Sequence, residues 1–118
     1  RQMCIRDRVM PLSESYFPLF CSIAGCAPAY AYMFIDSLAR SAVKNGMNKS
    51  VALEIAAQTV LGSAKKILES DEHPWELIDK VCSPGGTTIE GIVSLQKDGF
   101  ESAVCNAVDA ALQKDKKV

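Results

Sequence analysis

The chain has little of what metal sites and disulfide frameworks are built from. His73 is the only histidine, and the five cysteines are an odd number without a Cys-x-x-Cys pair. Structural zinc sites need clustered Cys and His ligands, and small secreted proteins need paired cysteines. We therefore expect no metal site and no disulfide framework, and we expect a reducing, cytoplasmic setting.

A surplus of basic residues is missing as well. Thirteen Lys and Arg stand against fourteen Asp and Glu, and the sequence pI is about 5.8. Binding to a phosphate backbone or to an acidic membrane surface depends on an excess of positive charge. Nucleic acid is therefore not an expected partner.

Long hydrophobic runs are also scarce. A membrane-spanning helix needs about eighteen or more consecutive apolar residues, and the best candidate, residues 21–32, is interrupted by Gly25 and Pro28. The sequence therefore predicts a soluble protein with no membrane partner.

The sequence does contain helical patterning, with 48% hydrophobic residues over 118 positions, enough for one globular domain. Residues 1–10 show no clear hydrophobic period. We treat them as an N-terminal extension of foreign origin that does not match the rest of the domain. Residues 11–118 are predicted to form one all-α domain, a helical bundle of about six helices. The predicted helices run from Ser13 or Ser15 to about Ala24, from Pro28 to Asn45, from Asn48 to about Ser70, from His73 to about Val81, from Thr87 to Gly99 and from Phe100 to Lys116, with a break at residues 25–27.

The stretch DKVCSPGGTTIEGI, residues 79–92, differs from the helical sequence around it. Gly85 and Gly86 permit a tight turn, and the spacing Thr87-x-x-Glu90 matches a capping box. The stretch therefore predicts a loop followed by a helix that Thr87 caps.

Two interpretations of this loop remain open. The N–H groups of Gly86, Thr87 and Thr88 would be unpaired at the positive end of a helix dipole, which attracts anions. With the hydroxyls of Ser83 and Thr88, they would hold a small carboxylate through neutral donors alone. In the simpler interpretation, Pro-Gly-Gly is only a turn between two helices with a good cap.

A nucleophilic pair of Cys82 with His73 is a weaker candidate. The sequence marks no third group that would orient the histidine, and a histidine before a proline is typical of a helix start. We therefore favour a packing role for Cys82.

Two segments, GCAPAYAYMFIDSLARSAVKNGM (25–47) and HPWELIDKVCSPGGTTIEGIVSLQKDGF (73–100), resemble the C-terminal helical domain of the pyrroline-5-carboxylate reductase family. The similarity extends from about Pro11 to the end of the chain. The second segment resembles the signature of that family at Pro74, Leu77, Val81, Cys82, Ser83, Gly85, Gly86, Thr88, Gly91, Ile92, Leu95 and Gln96.

The resemblance implies a fold and a reaction. The fold is a dimerisation domain of the 6-phosphogluconate dehydrogenase C-terminal-like type. In the reaction, NADPH or NADH reduces 1-pyrroline-5-carboxylate to L-proline, the last step of proline biosynthesis. The resemblance also implies an interleaved homodimer and, in the full-length enzyme, a ring of several dimers, a decamer.

The resemblance further implies which residues form the site. Thr88 would be the catalytic residue, through a hydrogen bond to the ring nitrogen. Ala27 and Pro28 would lie near the nicotinamide. Apart from the resemblance, Asp71 and Glu72 lie close in sequence, and we expect them to favour a cationic iminium electrostatically. The residues expected to bind the substrate are Val81, Cys82, Ser83, Gly85, Gly86, Thr87 and Thr88.

Two features depart from the family pattern. The usual Gly-Ser-Gly-Pro-Ala is replaced by Gly25-Cys26-Ala27-Pro28-Ala29, which adds a Cβ near the expected nicotinamide. No strand followed by Gly-x-Gly-x-x-Gly is present, so the dinucleotide-binding domain is not in this sequence. We expect the C-terminal part of a longer enzyme, inactive alone. The competing hypothesis is a non-enzymatic helical oligomerisation module or a carboxylate-binding domain.

Overall fold

The computed structural model describes residues 2–5 and 8–116, and most of these residues are helical. The chain divides into two compact units. Among the described residues, unit 1 holds those up to 32 and those from 101 to 116, and unit 2 holds residues 33–100. The predicted all-α class is confirmed for the chain from residue 12 to residue 116, within which only helices, turns and connections are found.

A short β-hairpin precedes the helices. Strand β1 (Gln2–Ile5) pairs antiparallel with β2 (Arg8–Pro11), and Gln2 lies opposite Pro11. The sequence analysis found no regular pattern in residues 1–10, so this hairpin was not predicted. The domain boundary placed after residue 10 stays a prediction.

The first helical stretch passes through three helix types without a break. A 3-10 turn (Glu14–Tyr16) leads into α1 (Phe17–Phe20), which continues as a π-helix (Cys21–Cys26) and then as α2 (Ala27–Lys44). The predicted break at residues 25–27 is therefore wrong.

Pro28 gives the physical reason for the π-helix. Proline cannot donate a backbone hydrogen bond, and in a regular α-helix its ring collides with the carbonyl four residues earlier, here that of Ala24. The wider hydrogen-bonding pattern of a π-helix changes the local register before the proline, so the chain remains helical. The N–H of Ala27 then donates to the carbonyl of Ile23.

The helix from Glu14 to Lys44 is consequently 31 residues long, and only 6% of its most apolar stretch is buried. By length and composition alone it is able to cross a membrane, so the expectation that no such segment exists is wrong. An apolar helix that packs against a second protein surface meets the same criteria. Length and composition therefore do not identify a membrane partner, and the soluble state stays a prediction.

Helix α3 (Lys49–Glu69) begins and α2 ends as the sequence predicts. Gly46 has φ +104°, a left-handed conformation that stops α2. The side chain of Asn48 accepts hydrogen bonds from the N–H groups of Ser50 (2.9 Å) and Val51 (3.4 Å), which caps α3.

The last three helices lie within two residues of their predicted bounds. They are α4 (Pro74–Val81), α5 (Thr87–Lys97) and α6 (Phe100–Lys116). Gly99, with φ +79°, separates α5 from α6.

Unit 2 buries small residues and leaves large apolar ones partly exposed. The buried hydrophobic residues among those described are Ala39 on α2 and Ala52 and Ala56 on α3. On the same helix α3, Val51 and Ile55 remain about half exposed. Small side chains allow another backbone to approach closely. The half-exposed residues form an apolar surface that this chain alone does not cover.

An ion pair fixes the α2–α3 connection. Asp36 on α2 contacts Lys49 Nζ at 2.9 Å and Arg40 Nε at 2.6 Å. Hydrogen bonds from Lys49 and then Arg40 hold the pKa of Asp36 below its ordinary value of 3.8.

In the same unit, the rings of Phe34 and Phe100 lie 5.9 Å apart.

Candidate functional site

Helix α4 leads into the loop that the sequence singles out. Its N-cap is His73, whose Nδ1 accepts a hydrogen bond of 3.1 Å from the N–H of Trp75, and Pro74 occupies the first helical position. His73 and Cys82 lie at opposite ends of α4, roughly 13 Å apart at 1.5 Å per residue. The nucleophilic pair is therefore not formed, and His73 has the structural role that the sequence analysis favoured.

A second contact spans the same helix. Glu72 pairs through Oε1 with Lys80 Nζ, across eight residues. Lys80 thus balances the charge of Glu72 within this chain, and the electrostatic role of Glu72 toward an iminium stays a prediction. Asp71 is exposed beside it.

The turn after α4 is closed by one backbone hydrogen bond. The N–H of Gly86 donates to the carbonyl of Ser83 at 3.0 Å, with Pro84 and Gly85 between them. Gly85 has φ +71°, and proline followed by a residue with positive φ is the pattern of a type II turn. The turn therefore needs both residue types in this order.

The two glycines of this turn are needed for different reasons. At Gly85 the backbone conformation is left-handed, while the space around a Cβ is open. At Gly86 the backbone is extended, with φ −84° and ψ 177°, and any residue could adopt it. A Cβ on Gly86 would overlap Ser83 Oγ and lie 3.2 Å from the Ser83 carbonyl oxygen. Gly86 therefore makes room for the Ser83 side chain.

The start of α5 differs from the predicted capping box. Gly86, not Thr87, is the N-cap, and no side chain caps the helix. The cause is the turn: because it closes on the N–H of Gly86, Gly86 becomes the cap and the helix begins at Thr87, one residue earlier than a Thr87 cap would give. The predicted donor Gly86 N–H is therefore used inside the turn. The N–H groups of Thr87 and Thr88 precede the first intrahelical bond and carry the positive end of the helix dipole.

The loop is accessible from solvent. Val81 is 65% exposed, and Ser83, Thr87 and Thr88 are exposed as well. Cys82, at the C-cap of α4, is a half-buried free thiol. The predicted substrate residues 81–88 thus lie in one short segment, with neutral N–H and hydroxyl donors around an unfilled helix start. Donors of this kind have the chemistry needed to hold a small carboxylate, and the binding role of these residues stays a prediction.

Ala27 and Pro28, the residues expected near a nicotinamide, lie in unit 1, in the first turn of α2. The N–H of Ala27 donates to the carbonyl of Ile23 and Pro28 has no N–H, so neither residue offers a backbone donor to a pyrophosphate. Their side chains are apolar and suit contact with a ring, and their place near a nicotinamide stays a prediction. Within residues 2–5 and 8–116, no group of three His, Cys, Asp or Glu is placed to hold a metal ion.

The sequence matches the family of pyrroline-5-carboxylate reductase dimerisation domains over residues 14–118, most of the chain. The chain belongs to the pyrroline-5-carboxylate reductase family. The pyrroline-5-carboxylate reductase of Escherichia coli strain K12 is 48% identical over 96 residues, and that of Aquifex aeolicus strain VF5 is 46% identical over 107 residues. These matches cover 81% and 91% of this chain, but 36% and 40% of the two relatives.

Solved structures of the family have the same fold. The 1-pyrroline-5-carboxylate reductase of Streptococcus pyogenes matches with a TM-score of 0.90 at 45% identity, covering 92% of this chain and 42% of that one. The Plasmodium falciparum pyrroline carboxylate reductase with NADP bound matches with a TM-score of 0.85 at 40% identity, covering 90% and 40%. The chain therefore spans less than half the length of the reductases that it matches.

The sequence analysis missed the Glu72–Lys80 contact. Ion pairs on helices are expected at spacings of three or four residues, whereas this one joins Lys80 to a residue that precedes the helix. No simple spacing rule identifies such a pair.

Proposed function

We propose that the chain is the substrate-binding and dimerisation part of an NAD(P)H-dependent reductase that converts 1-pyrroline-5-carboxylate to L-proline. The observation that carries the proposal is the uncapped start of α5, with Ser83 and Thr88 hydroxyls beside it, in a chain of the reductase family. The alternative of a non-enzymatic module has no observation in its favour.

In this proposal the loop holds the substrate by its carboxylate. The N–H groups of Thr87 and Thr88 donate to the carboxylate oxygens, and the Ser83 hydroxyl donates a third hydrogen bond. Lys80, the nearest cation in sequence, is paired with Glu72, so neutral donors provide the binding. Charge-assisted hydrogen bonds of this kind are about twice as strong as neutral ones.

The Thr88 hydroxyl has a second role in the proposal, a hydrogen bond to the ring nitrogen. With the carboxylate fixed by the helix start, this bond orients the imine and presents one face of its carbon for attack. A bound nicotinamide supplies the hydride. The contribution of this chain is then mainly positioning, together with donation toward the nitrogen.

We propose that the cofactor is NADPH or NADH and is bound mainly outside this chain, with Ala27 and Pro28 in apolar contact with the nicotinamide. The NADP bound by the Plasmodium falciparum relative supports this cofactor class. A cytoplasmic homodimer, assembling further into a decameric ring in the full-length enzyme, completes the proposal. The chain alone is expected to be inactive, and turnover by the purified 118-residue chain would contradict that expectation.

Two neighbouring threonines provide a matched test. In a full-length reductase that carries this segment, Thr88→Ala removes the hydroxyl proposed to contact the ring, and kcat/KM should fall about 100-fold. Thr87→Ala keeps the backbone N–H through which that residue acts and should change kcat/KM less than about threefold. Equal effects of the two variants on steady-state proline formation would refute the proposed role of Thr88, and unchanged turnover in both would refute the site.

A further inference from the structure

The Glu72–Lys80 ion pair bridges the two ends of α4, and we infer that it positions the loop that binds the substrate carboxylate. This inference rests on the proposed function. Lys80 is in the last turn of α4, and it contacts Glu72, which precedes the helix. Val81 and Cys82 follow Lys80 directly, and the turn begins at Ser83. The pair therefore holds the last turn of α4, which the loop follows directly.

The backbone of Glu72 is also held, by a residue at the end of α3. Its N–H donates to Ser70 Oγ at 3.0 Å, and Ser70 is the C-cap of α3. The contacts thus run from the end of α3, through Glu72, to the last turn of α4. Lys80 is anchored to the α3–α4 connection, and its position does not depend on α4 alone.

The two partners are unequally exposed, and this makes the pair asymmetric. The Glu72 side chain is 34% exposed and that of Lys80 is 63% exposed. Oε2 of Glu72 is buried and has no hydrogen-bond partner in the described part of the chain. Removing the Lys80 charge would leave a partly buried carboxylate unbalanced, whereas removing the Glu72 charge would leave an ammonium group in water. Loss of Lys80 is therefore the larger perturbation.

The consequence for the reaction is a change in binding and not in chemistry. Displacing the last turn of α4 moves Ser83 and the turn that precedes the helix start, so the carboxylate is held less well. The carboxylate keeps its charge during the reaction, and Thr88, which orients the imine, lies in α5 and not in the displaced turn of α4. Ground state and transition state therefore lose the same interaction. A loss of uniform binding raises KM and leaves kcat unchanged.

Substitutions in a full-length reductase carrying this segment test the inference. Lys80→Met should raise KM for 1-pyrroline-5-carboxylate about fivefold and Glu72→Gln about twofold, with kcat changed less than about twofold, as expected for a partly exposed pair. The exchange Glu72→Lys with Lys80→Glu should regain at least half of the loss. Lys65→Met and Glu69→Gln, which remove the exposed pair of α3 at 3.9 Å, are the matched controls and should leave KM unchanged.

Each result decides the inference. The inference would be overturned if Lys80→Met left KM unchanged or raised it no more than Lys65→Met does. A fall in kcat without a change in KM would also overturn it. If Lys80→Met does not fold, Glu72→Gln decides: a rise in KM supports the inference, and an unchanged KM refutes it. The parent proposal is judged separately by Thr88→Ala, because the expected fall in kcat/KM there with no effect at Lys80 would reject only the positioning role.

Discussion

Replacing Gly86 with alanine separates the two interpretations of the Pro-Gly-Gly turn. Its backbone conformation suits alanine, so the cost comes from the added Cβ, which would overlap Ser83 Oγ and lie 3.2 Å from the Ser83 carbonyl oxygen. Overpacking costs about 1–3 kcal/mol, and alanine is a poorer N-cap than glycine by about 0.5–1 kcal/mol. Lower entropy of the unfolded chain offsets about 0.4–1 kcal/mol. The free energy of unfolding should therefore fall by about 1–3 kcal/mol.

The effect on binding distinguishes a simple turn from a carboxylate site. If the turn only connects two helices, Gly86→Ala lowers stability and leaves the KM of a full-length reductase unchanged under conditions where the enzyme is folded. If the helix start holds the carboxylate, displacement of Ser83 and Thr87 weakens charge-assisted hydrogen bonds. Losing one such bond costs about 1.5–3 kcal/mol, so KM should rise about 10- to 100-fold.

A double variant shows whether the overlap with Ser83 is the cause. Ser83→Ala removes the Oγ that the new Cβ would meet, so Ser83→Ala with Gly86→Ala should regain about half of the lost stability. It should not regain affinity, because the Ser83 hydroxyl is itself a proposed donor. Gly91→Ala, in α5, is the control, because the added Cβ would meet nothing within 4 Å outside its own helix backbone and should add up to about 1 kcal/mol of stability.

Chemical denaturation at fixed chain concentration and steady-state kinetics measure these quantities. If Gly86→Ala has wild-type stability, the added Cβ does not collide with Ser83, and the proposed reason for a glycine at this position is wrong. Reduced stability with a wild-type KM would show that the loop is only a turn.

Two further predictions concern unit 2. Because Lys49 and Arg40 hold the pKa of Asp36 below 3.8, the charged carboxylate stabilises the fold above that pH, and the contribution is lost as pH falls through the lowered pKa. The difference in unfolding free energy between the wild type and Asp36→Asn should therefore shrink as pH decreases from neutral to below 3.8, and a constant difference in urea titrations would contradict the pairing. Ile55 is half exposed on α3, and we expect a second copy of the chain to cover it. Ile55→Glu should therefore weaken dimerisation at least about 100-fold, measured by sedimentation. Unchanged association would place the interface elsewhere.

Most helix ends could be predicted from the sequence because they are set by single residues. Gly46 and Gly99 adopt positive φ, which their lack of a Cβ permits, and Asn48 caps α3 with its own side chain. Pro74 lies where its missing N–H costs nothing. Each of these effects acts within a few residues, so local pattern is sufficient to locate it.

The remaining features depend on choices between competing hydrogen bonds. Gly25 and Pro28 predict a break, but a π-helix satisfies the same constraint and keeps the chain helical. Thr87 and Glu90 match a capping box, but closing the turn on Gly86 moves the cap by one residue. Both alternatives are compatible with the local sequence, and geometry beyond the motif selects one.

The loop itself was located correctly, although its donors were not all assigned correctly. A tight turn at Gly85 and Gly86 with a helix after it was predicted, and both are present. The sequence analysis counted the N–H of Gly86 as a free donor, which the turn uses. The roles of Ser83, Thr87 and Thr88 in substrate binding stay predictions.

The partly exposed apolar residues of α3, with only alanines buried beside them, imply that tertiary structure and association are parts of one equilibrium. In a chain of this kind, much of the hydrophobic stabilisation is gained on association with a second molecule. Dilution dissociates the complex and thereby lowers the stability of the fold. Its melting temperature should rise with protein concentration, and a single unfolding free energy has meaning only when the concentration is stated.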